Sequence, residues 1–292
     1  MRQIEDIVTI QQGFLDNHYV VDQELATIVF LMYKLQRPLL IEGPAGVGKT
    51  ELAQALANTL SCKLIRLQCY EGLDLNASVY EWNYQKQLLA IKIQEQGEMN
   101  EKDKEQHIFS KEFLLERPLL QSVSQNDSPV LLIDEIDRSD EEFEAYLLEL
   151  LSVYQVSIPE LGTIKAEHIP FVVLTSNRTR ELSDALKRRC LYYWLDYPSL
   201  EKEMEIVKRK LPGIDDQLKQ QVVQFVQSLR EMSLEKTPGV AETLDWTTSL
   251  FILGKSHLDQ QSIKSTIGCL LKSTEDIDKL VQSELYSQQL SS

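Results

Sequence analysis

The sequence has no surplus of basic residues, no paired cysteines and no long apolar run. It carries 30 Lys and Arg against 45 Asp and Glu, a formal net charge of −15, which argues against a surface that mainly neutralises nucleic-acid phosphates. Its four cysteines form no C-x-x-C pair, and no cationic-then-apolar signal sequence opens the chain. We therefore expect free thiols in a reducing cytoplasm. We expect no membrane insertion, because no apolar run approaches the roughly 20 residues that span a bilayer.

One stretch has the spacing G-x-x-x-x-G-K-T, which is typical of a phosphate-binding loop. It consists of Gly43, Pro44, Ala45, Gly46, Val47, Gly48, Lys49 and Thr50. The glycines allow backbone N–H groups to curl around phosphates, Lys49 can reach the terminal phosphates, and Thr50 can offer its hydroxyl to Mg²⁺. An apolar run at 39–41 precedes the loop and a helix-forming stretch at 51–60 follows it, which favours a nucleoside triphosphate site over a structural glycine turn.

Short apolar runs rich in branched residues alternate with amphipathic stretches over the first two thirds of the chain, which is the pattern of a parallel sheet covered by helices. Strands are predicted at 39–42, 64–68, 130–134, 171–175 and 191–195. After Pro198 the periodicity is helical, with helices predicted at 200–211, 216–229, 240–253, 262–271 and within 274–292. The predicted fold is an α/β nucleotide-binding domain with a five-stranded parallel sheet at 1–197 and a small all-α lid with a polar tail at 198–292.

Two stretches exceed what such a sheet needs. Residues 70–127 are too long for a simple crossover and contain a polar, charged segment at 94–106, which predicts an insertion with a mobile tip. Residues 155–170 contain a turn signal at 159–162 between branched apolar residues, which predicts a projecting hairpin.

The run at 130–133 ends in two carboxylates, Asp134 and Glu135, the pattern called Walker B. A carboxylate at the end of a buried strand can hold Mg²⁺, which suits Asp134. Glu135 can then act as the general base that polarises the attacking water. Acidic pairs after strands are often only solvated loop residues, but the phosphate loop favours the metal interpretation here. The following acids are interpreted as structural residues at a helix start, namely Asp137, Asp140, Glu141 and Glu142.

Two further positions complete the candidate site. Asn177 follows the predicted fourth strand, where its amide can orient water near the γ-phosphate, although an asparagine there is also a common turn residue. Lys187, Arg188 and Arg189 end a predicted short helix. One of these arginines can act as a finger on the γ-phosphate of a neighbouring subunit. The alternative is a basic helix end that complements the dipole.

This set of motifs resembles the AAA+ ATPases, and more narrowly the MoxR-like branch close to the CoxD-type ATPases of carbon monoxide dehydrogenase maturation. The resemblance runs from about residue 19 to 254 and is carried by the segments at 67–74, 80–84, 113–119, 175–183 and 185–192. It implies a ring, commonly a hexamer, in which ATP binds with Mg²⁺ between subunits and hydrolysis remodels a client protein. It also implies a partner with a von Willebrand factor A domain.

The resemblance also implies residue roles: Lys49 and Thr50 form Walker A, Asp134 and Glu135 form Walker B, Asn177 is sensor 1, and Arg189 is the finger. Many relatives have Asp before the finger arginine, where this chain has Arg188, so both arginines are candidates and the motif alignment favours Arg189. Many relatives also have a sensor-2 arginine at the start of a lid helix, and the segment at 240–247 contains none. The insertion and the hairpin would face the pore or the client.

Several functions remain open at this point. The first is a chaperone-like remodeller or maturation factor for a metalloenzyme or protein complex. The alternative is a nucleic-acid motor or loader of the same class, which the acidic balance disfavours. A monomeric nucleotide kinase or a GTPase is a third class, although no guanine-reading N-K-x-D occurs. A purely structural nucleotide is disfavoured by Glu135.

Overall fold

The computed structural model describes residues 3–94, 100–283 and 285. Its backbone packs into two compact units. The first, which we call the sheet unit, contains the chain up to Gly13, Gln23–Glu42 and Ala53–Tyr193. The second, which we call the helical unit, contains Phe14–Asp22, Gly43–Leu52 and the chain from Trp194 onward. The helical unit therefore groups the phosphate-loop sequence with the C-terminal helices. The division into domains at residue 197 stays a prediction.

Strands and helices are mixed up to Trp194, and only helices follow it in the described part of the chain. The strands are β1 (Leu39–Glu42), β2 (Leu64–Gln68), β3 (Tyr80–Trp82), β4 (Leu114–Glu116), β5 (Val130–Asp134), β6 (Gln155–Ile158), β7 (Gly162–Lys165), β8 (Phe171–Ser176) and β9 (Leu191–Trp194). The helices are α1 (Ile7–Asp16), α2 (Gln23–Leu35), α3 (Lys49–Leu60), α4 (Leu75–Ser78), α5 (Tyr84–Gln94), α6 (Glu101–Ile108), α7 (Pro118–Val123), α8 (Glu141–Val153), α9 (Asp184–Arg189), α10 (Leu200–Lys210), α11 (Asp216–Arg230), α12 (Val240–Ile252), α13 (Gln260–Thr266) and α14 (Thr274–Val281). None of these helices is both long enough and apolar enough to cross a bilayer.

A five-stranded sheet in the order β2-β5-β8-β1-β9 forms the centre of the sheet unit. The paired strands β2 and β5, β5 and β8, and β8 and β1 run parallel. Every residue of β1, β5 and β8 is buried, because helices cover both faces of a parallel sheet, and this explains their continuous apolar sequences. The predicted fold class is confirmed. The observed strands differ from the predicted ones by one residue, at the ends of β8 and β9.

The sheet order places the ends of three neighbouring strands together. In the register between β2 and β5, Gln68 lies opposite Asp134. The adjacent strand β8 ends at Ser176, so the chain leaves the same edge of the sheet at Asn177. Because ligands of open α/β sheets bind outside the carboxyl ends of the strands, this edge is the place to look for a site.

The insertion predicted at 70–127 contains α4 to α7 and the antiparallel pair of β3 and β4. Of its charged segment, residues 95–99 lie outside the described residues, and α6 forms part of the remainder. The hairpin predicted at 155–170 is present as the antiparallel pair of β6 and β7, with Gly162 at a φ of +80° directly after the turn. Glycine suits this position because the left-handed conformation is costly for other residues.

The helical unit is held by a buried ion pair as well as by an apolar core around Trp246. Arg230 donates to both carboxylate oxygens of Glu203, at 2.6 and 2.7 Å. Thr243 donates to the same carboxylate at 2.8 Å and Gln227 at 2.6 Å. Glu203 lies on α10, Arg230 on α11 and Thr243 on α12. One fully buried carboxylate therefore joins three helices, and its hydrogen bonds offset the cost of burying its charge.

The helix predicted at 262–271 has different ends in the structure. It begins at Gln260, because Asp259 caps it by accepting a hydrogen bond from the N–H of Ser262. It ends at Thr266 and continues as a 3₁₀ turn through Gly268, a residue that destabilises α-helix interiors. In the tail predicted at 274–292, the structure shows α14 up to Val281.

Candidate functional site

The loop Gly43 to Thr50 has the backbone of an anion cradle. Gly46 and Gly48 have φ values of +76° and +97°, a conformation that turns successive N–H groups inward and that other residues adopt only at a cost. The ammonium of Lys49 donates to the backbone oxygens of Gly43 at 2.8 Å and of Pro44 at 2.5 Å. A Cβ on Gly43 would lie 2.0 Å from the backbone oxygen of Leu195. Gly43 is therefore required by its close contact with Leu195, and Gly46 and Gly48 are favoured by a backbone conformation that suits phosphate groups.

Within the helical unit, the N-terminus of α12 packs directly on this loop. The N–H of Ala241 donates to the oxygen of Gly46 at 3.1 Å, and a Cβ on Gly239 would lie 2.8 Å from the oxygen of Ala45. The carboxylate of Glu242 accepts from the N–H of Gly239 at 2.9 Å. An acidic side chain therefore lies beside the loop at the start of this helix, where the resemblance implies a sensor-2 arginine.

Asp134 and Glu135 share one hydroxyl in the sheet unit. Thr175 on β8 donates to Oδ1 of Asp134 at 2.5 Å, and its oxygen accepts from the N–H of Glu135 at 2.9 Å. Glu135 has a left-handed backbone, with φ of 55°, which is costly for a residue other than glycine. The Thr175 hydroxyl thus stabilises both the orientation of Asp134 and the unusual backbone of Glu135.

Two side chains donate hydrogen bonds to the Glu135 carboxylate, and a third forms an ion pair with it. Asn177 donates from Nδ2 to Oε1 at 3.3 Å, and Gln68 donates from Nε2 to Oε2 at 3.1 Å. The guanidinium of Arg138 lies 3.0 Å from Oε2. Glu135 is 32% exposed, so its carboxylate is held in place while remaining open to a water molecule. This arrangement suits a general base.

Asp134 also pairs with a cation from the edge strand β2. Nη2 of Arg66 lies 2.6 Å from Oδ2 of Asp134 and donates as well to Oε1 of Gln68 at 2.6 Å. Asp134 is almost fully buried, whereas the Arg66 side chain is 52% exposed. Through Gln68, the same network reaches Glu135.

Asp137 fixes the segment that carries Asn177. It accepts hydrogen bonds from the N–H of Asn177 at 3.1 Å, and from the N–H and the hydroxyl of Thr179 at 2.9 and 2.7 Å. Burial by itself raises the pKa of Asp137, but these hydrogen bonds outweigh burial and hold the pKa below its ordinary value. Asp137 lies in the 3₁₀ turn Ile136–Arg138, and only Asp140 caps α8. The sequence predicts Asp137 at a helix start together with three other acids, but its carboxylate instead holds the segment that carries Asn177.

The two candidate finger arginines have different surroundings. Nε of Arg189 donates to the hydroxyl of Ser152 at 2.7 Å, and its Nη1 donates to the backbone oxygen of Ala185 at 2.9 Å. Arg188, one residue earlier on α9, is exposed. The guanidinium favoured by motif alignment is thus bonded within its own chain, and its neighbour faces solvent.

Sequence reasoning found the residues that end β5 and β8, and the structure brings Asp134, Glu135 and Asn177 together. It missed Arg66, Gln68, Thr175, Arg138 and the role of Asp137. One signal was available in β2, where polar residues alternate with apolar ones at its carboxyl end. No comparable signal marks Thr175, because a threonine in a strand usually reflects only strand propensity.

The donor chemistry of the predicted metal ligands, taken residue by residue, suits a magnesium nucleotide. Mg²⁺ at phosphate sites is held by one or two protein oxygens and otherwise by phosphate and water, and Thr50 and Asp134 have that chemistry. Over the described parts of the chain, no group of three or more His, Cys, Asp or Glu residues could hold a metal ion by itself.

Comparison with known proteins gives three results. A family model described as an AAA domain of the dynein-related subfamily matches residues 38–190, a little over half of the chain. An uncharacterized protein of Staphylococcus epidermidis is 26% identical over 218 residues, which cover 73% of this chain and 75% of that protein. An uncharacterized protein of Staphylococcus haemolyticus is 25% identical over 226 residues, which cover 75% and 78%.

The fold is also similar to solved structures of RuvB from Thermotoga maritima. One point mutant of that protein aligns with a TM-score of 0.52 and 19% identity over 88% of this chain and 72% of its own. Another aligns with a TM-score of 0.51 and 16% identity over 90% and 70%. At these identities the likeness concerns the fold alone.

Proposed function

Because the chain belongs to the AAA domain family of the dynein-related subfamily, we propose that it is an ATP-hydrolysing ring ATPase that remodels a client protein in the cytoplasm. The observation that carries this proposal is the pair of Glu135 and Asn177. A carboxylate open to water and an amide that donates to it at 3.3 Å lie at the ends of neighbouring strands, which is the equipment for directing a water molecule.

The phosphate loop and the strand ends have complementary tasks in this proposal. Lys49 and the N–H groups of Gly43 to Thr50 bind the phosphates of ATP. Thr50 and Asp134 hold Mg²⁺, which when bound neutralises charge on the phosphates. The proposal is supported by chain connectivity, because the loop begins at the residue after β1, and β1 pairs with β8.

Glu135 and Asn177 carry out the chemical step. Glu135 accepts the proton of the attacking water while its other contacts, from Gln68 and Arg138, keep the carboxylate in place. Asn177 orients the water and the γ-phosphate. Asp137 supports this step indirectly, since it fixes the backbone on which Asn177 lies.

Phosphate release from ATP tests the hydrolytic part. We expect Glu135→Gln to retain nucleotide binding and to lose about 10²- to 10⁴-fold in rate, the usual contribution of a general base. Lys49→Ala is expected to lose binding as well. Glu142→Gln is the matched control, because it neutralises an exposed carboxylate on α8. Wild-type rates in Glu135→Gln would refute the assignment, and absence of ATP binding by the wild type would refute the nucleotide site.

We expect the chain to assemble into a ring, with a hexamer as the expected size. In such a ring, one arginine of each subunit contacts the γ-phosphate bound to its neighbour. Motif alignment favours Arg189, but Arg188 is exposed whereas Arg189 bonds to Ser152 and Ala185. We expect Arg188→Ala or Arg189→Ala to lower turnover while leaving the assembly intact by light scattering. Mixing the inactive arginine variant with Glu135→Gln should recover part of the activity, because some interfaces then combine an intact arginine from one subunit with an intact Glu135 from its neighbour. Full activity of both arginine variants in a verified ring would remove the finger from the mechanism.

The resemblance to CoxD-type ATPases supports a maturation role with a von Willebrand factor A domain partner. Purification of the Glu135→Gln variant from its own host, in ATP, is expected to retain such a partner and a client enzyme. The nucleic-acid motor is the competing outcome: salt-dependent DNA binding that stimulates hydrolysis would replace the remodelling proposal. The net charge of −15 supports remodelling instead.

A further inference from the structure

We propose that Arg66 is a positioning residue that sets the affinity of the nucleotide site for Mg²⁺ through its ion pair with Asp134. This inference rests on the proposed function, in which Asp134 faces the metal. The guanidinium Nη2 lies 2.6 Å from Oδ2 of Asp134, a carboxylate whose side chain is 3% exposed. A positive charge at this distance interacts with the same carboxylate that would hold a hydrated Mg²⁺.

The sign of the effect follows from the two courses open to Arg66 when the metal binds. If the guanidinium stays beside Asp134, it repels the divalent cation across a buried carboxylate, where screening is weak. If it swings out, which its 52% exposure allows, the site loses a charge-assisted hydrogen bond. Both courses oppose Mg²⁺ binding, so removal of the positive charge must tighten the metal.

The position of Arg66 on the edge strand makes this pairing specific. Residues 66 and 68 of β2 point to the same side of the sheet, because side chains alternate along a strand. The same Nη2 of Arg66 donates to Oε1 of Gln68 at 2.6 Å, and Gln68 donates to Glu135 at 3.1 Å. Arg66 therefore connects the carboxylate of Asp134, through Gln68, to that of Glu135. A change at one of these carboxylates therefore affects the other.

The test compares the affinity for a non-hydrolysable ATP analogue in Mg²⁺ with that in EDTA, by calorimetric titration. The dissociation constant in EDTA divided by the dissociation constant in Mg²⁺ measures the contribution of the metal separately from that of the nucleotide. We expect Arg66→Gln to raise this ratio about three- to tenfold, the scale of a partly exposed ion pair. Arg66→Met carries the same prediction if the glutamine variant does not fold. Arg66→Lys keeps the charge and should stay within about twofold of the wild type.

Two further variants make the result specific. Arg209→Gln removes the same charge from a surface pair with Glu205 on α10 and should leave the ratio unchanged. In an Asp134→Asn background, Arg66→Gln should no longer raise the ratio, because the two effects act through one contact. An unchanged or lowered ratio in Arg66→Gln and Arg66→Met would overturn the role of Arg66 alone. Failure of the wild type to bind the analogue in Mg²⁺ would overturn the proposed function and this inference together.

Discussion

Replacement of Thr175 by valine removes one hydroxyl that serves two residues of the site. The hydroxyl donates to Oδ1 of Asp134 at 2.5 Å and accepts from the N–H of Glu135 at 2.9 Å. Thr175 is 1% exposed, so water does not readily take its place. Valine has nearly the same shape, and the change therefore tests the hydrogen bonds more than the packing.

The expected loss follows from the two bonds. A hydrogen bond to a charged group contributes about 1.5 to 3 kcal/mol, and an N–H left unpaired in a buried place costs about 1 to 3 kcal/mol. These contributions share one hydroxyl and overlap, so we expect Thr175→Val to lower the free energy of unfolding by about 3 kcal/mol. Thr175→Ser keeps the hydroxyl and loses one buried methyl, which costs about 1 kcal/mol.

Denaturant unfolding and steady-state phosphate release measure the two consequences. The left-handed backbone of Glu135 relies on the same hydroxyl, so Thr175→Val is expected to reduce turnover about 10- to 100-fold, as a small misplacement of a reacting group does. Thr175→Ser should retain most activity. Equal stability and equal turnover in the two variants would show that the hydroxyl does not hold Asp134 and Glu135 as described.

Three other expectations come from the same structure. Glu203→Ala should lower the free energy of unfolding by about 3 to 5 kcal/mol, because it leaves Arg230 buried without its counter-charge; the pair Glu203→Leu with Arg230→Met should recover much of that loss by calorimetry. The pKa of Asp137 is lowered in the folded protein, so its carboxylate stabilises the fold above about pH 4, and this stabilisation is lost as the pH falls through the lowered pKa. The free energy of unfolding of Asp137→Asn should therefore fall less steeply in acid. An unchanged slope of that free energy against pH would contradict this. Burial raises the pKa of Cys69 and of Cys190 to about 12, so a thiol reagent at pH 8 should modify neither in the native protein by mass spectrometry, and should modify both after unfolding.

The predicted strands agree with the structure because each carries its own signal. β1, β5 and β8 each consist of an apolar run that ends in polar or charged residues, so their existence follows from local sequence. The ends of helices are harder to predict than the existence of strands. At α13, for example, the capping residue Asp259 lies outside the apolar periodicity that marks the helix. The insertion was recognised only as excess length, because its short elements lack sustained periodicity.

The grouping of the candidate site residues could be predicted in part for the same reason. Asp134, Glu135 and Asn177 follow strands directly, so a general rule about parallel sheets brings them together. Arg66 and Thr175 act through partners 68 and 41 positions away in the chain, and such contacts leave no trace in local sequence. Whether Arg188 or Arg189 extends toward solvent also depends on the neighbouring helix that supplies Ser152.

The sequence by itself determined that this chain carries a phosphate-loop motif, a strand that ends in two carboxylates and an acidic overall charge. The two motifs are local in the chain and the net charge is a sum over residues, so none of these features depends on the folded structure. Only the tertiary structure decided which hydroxyl, amide and guanidinium groups contact the carboxylates. The pairing of strands β2, β5 and β8 brings together residues that are far apart in sequence, and the energy of each contact depends on distance and burial. The phosphate motif predicts a nucleotide ligand, and the strand pairing decides how tightly Asp134 and Glu135 are held.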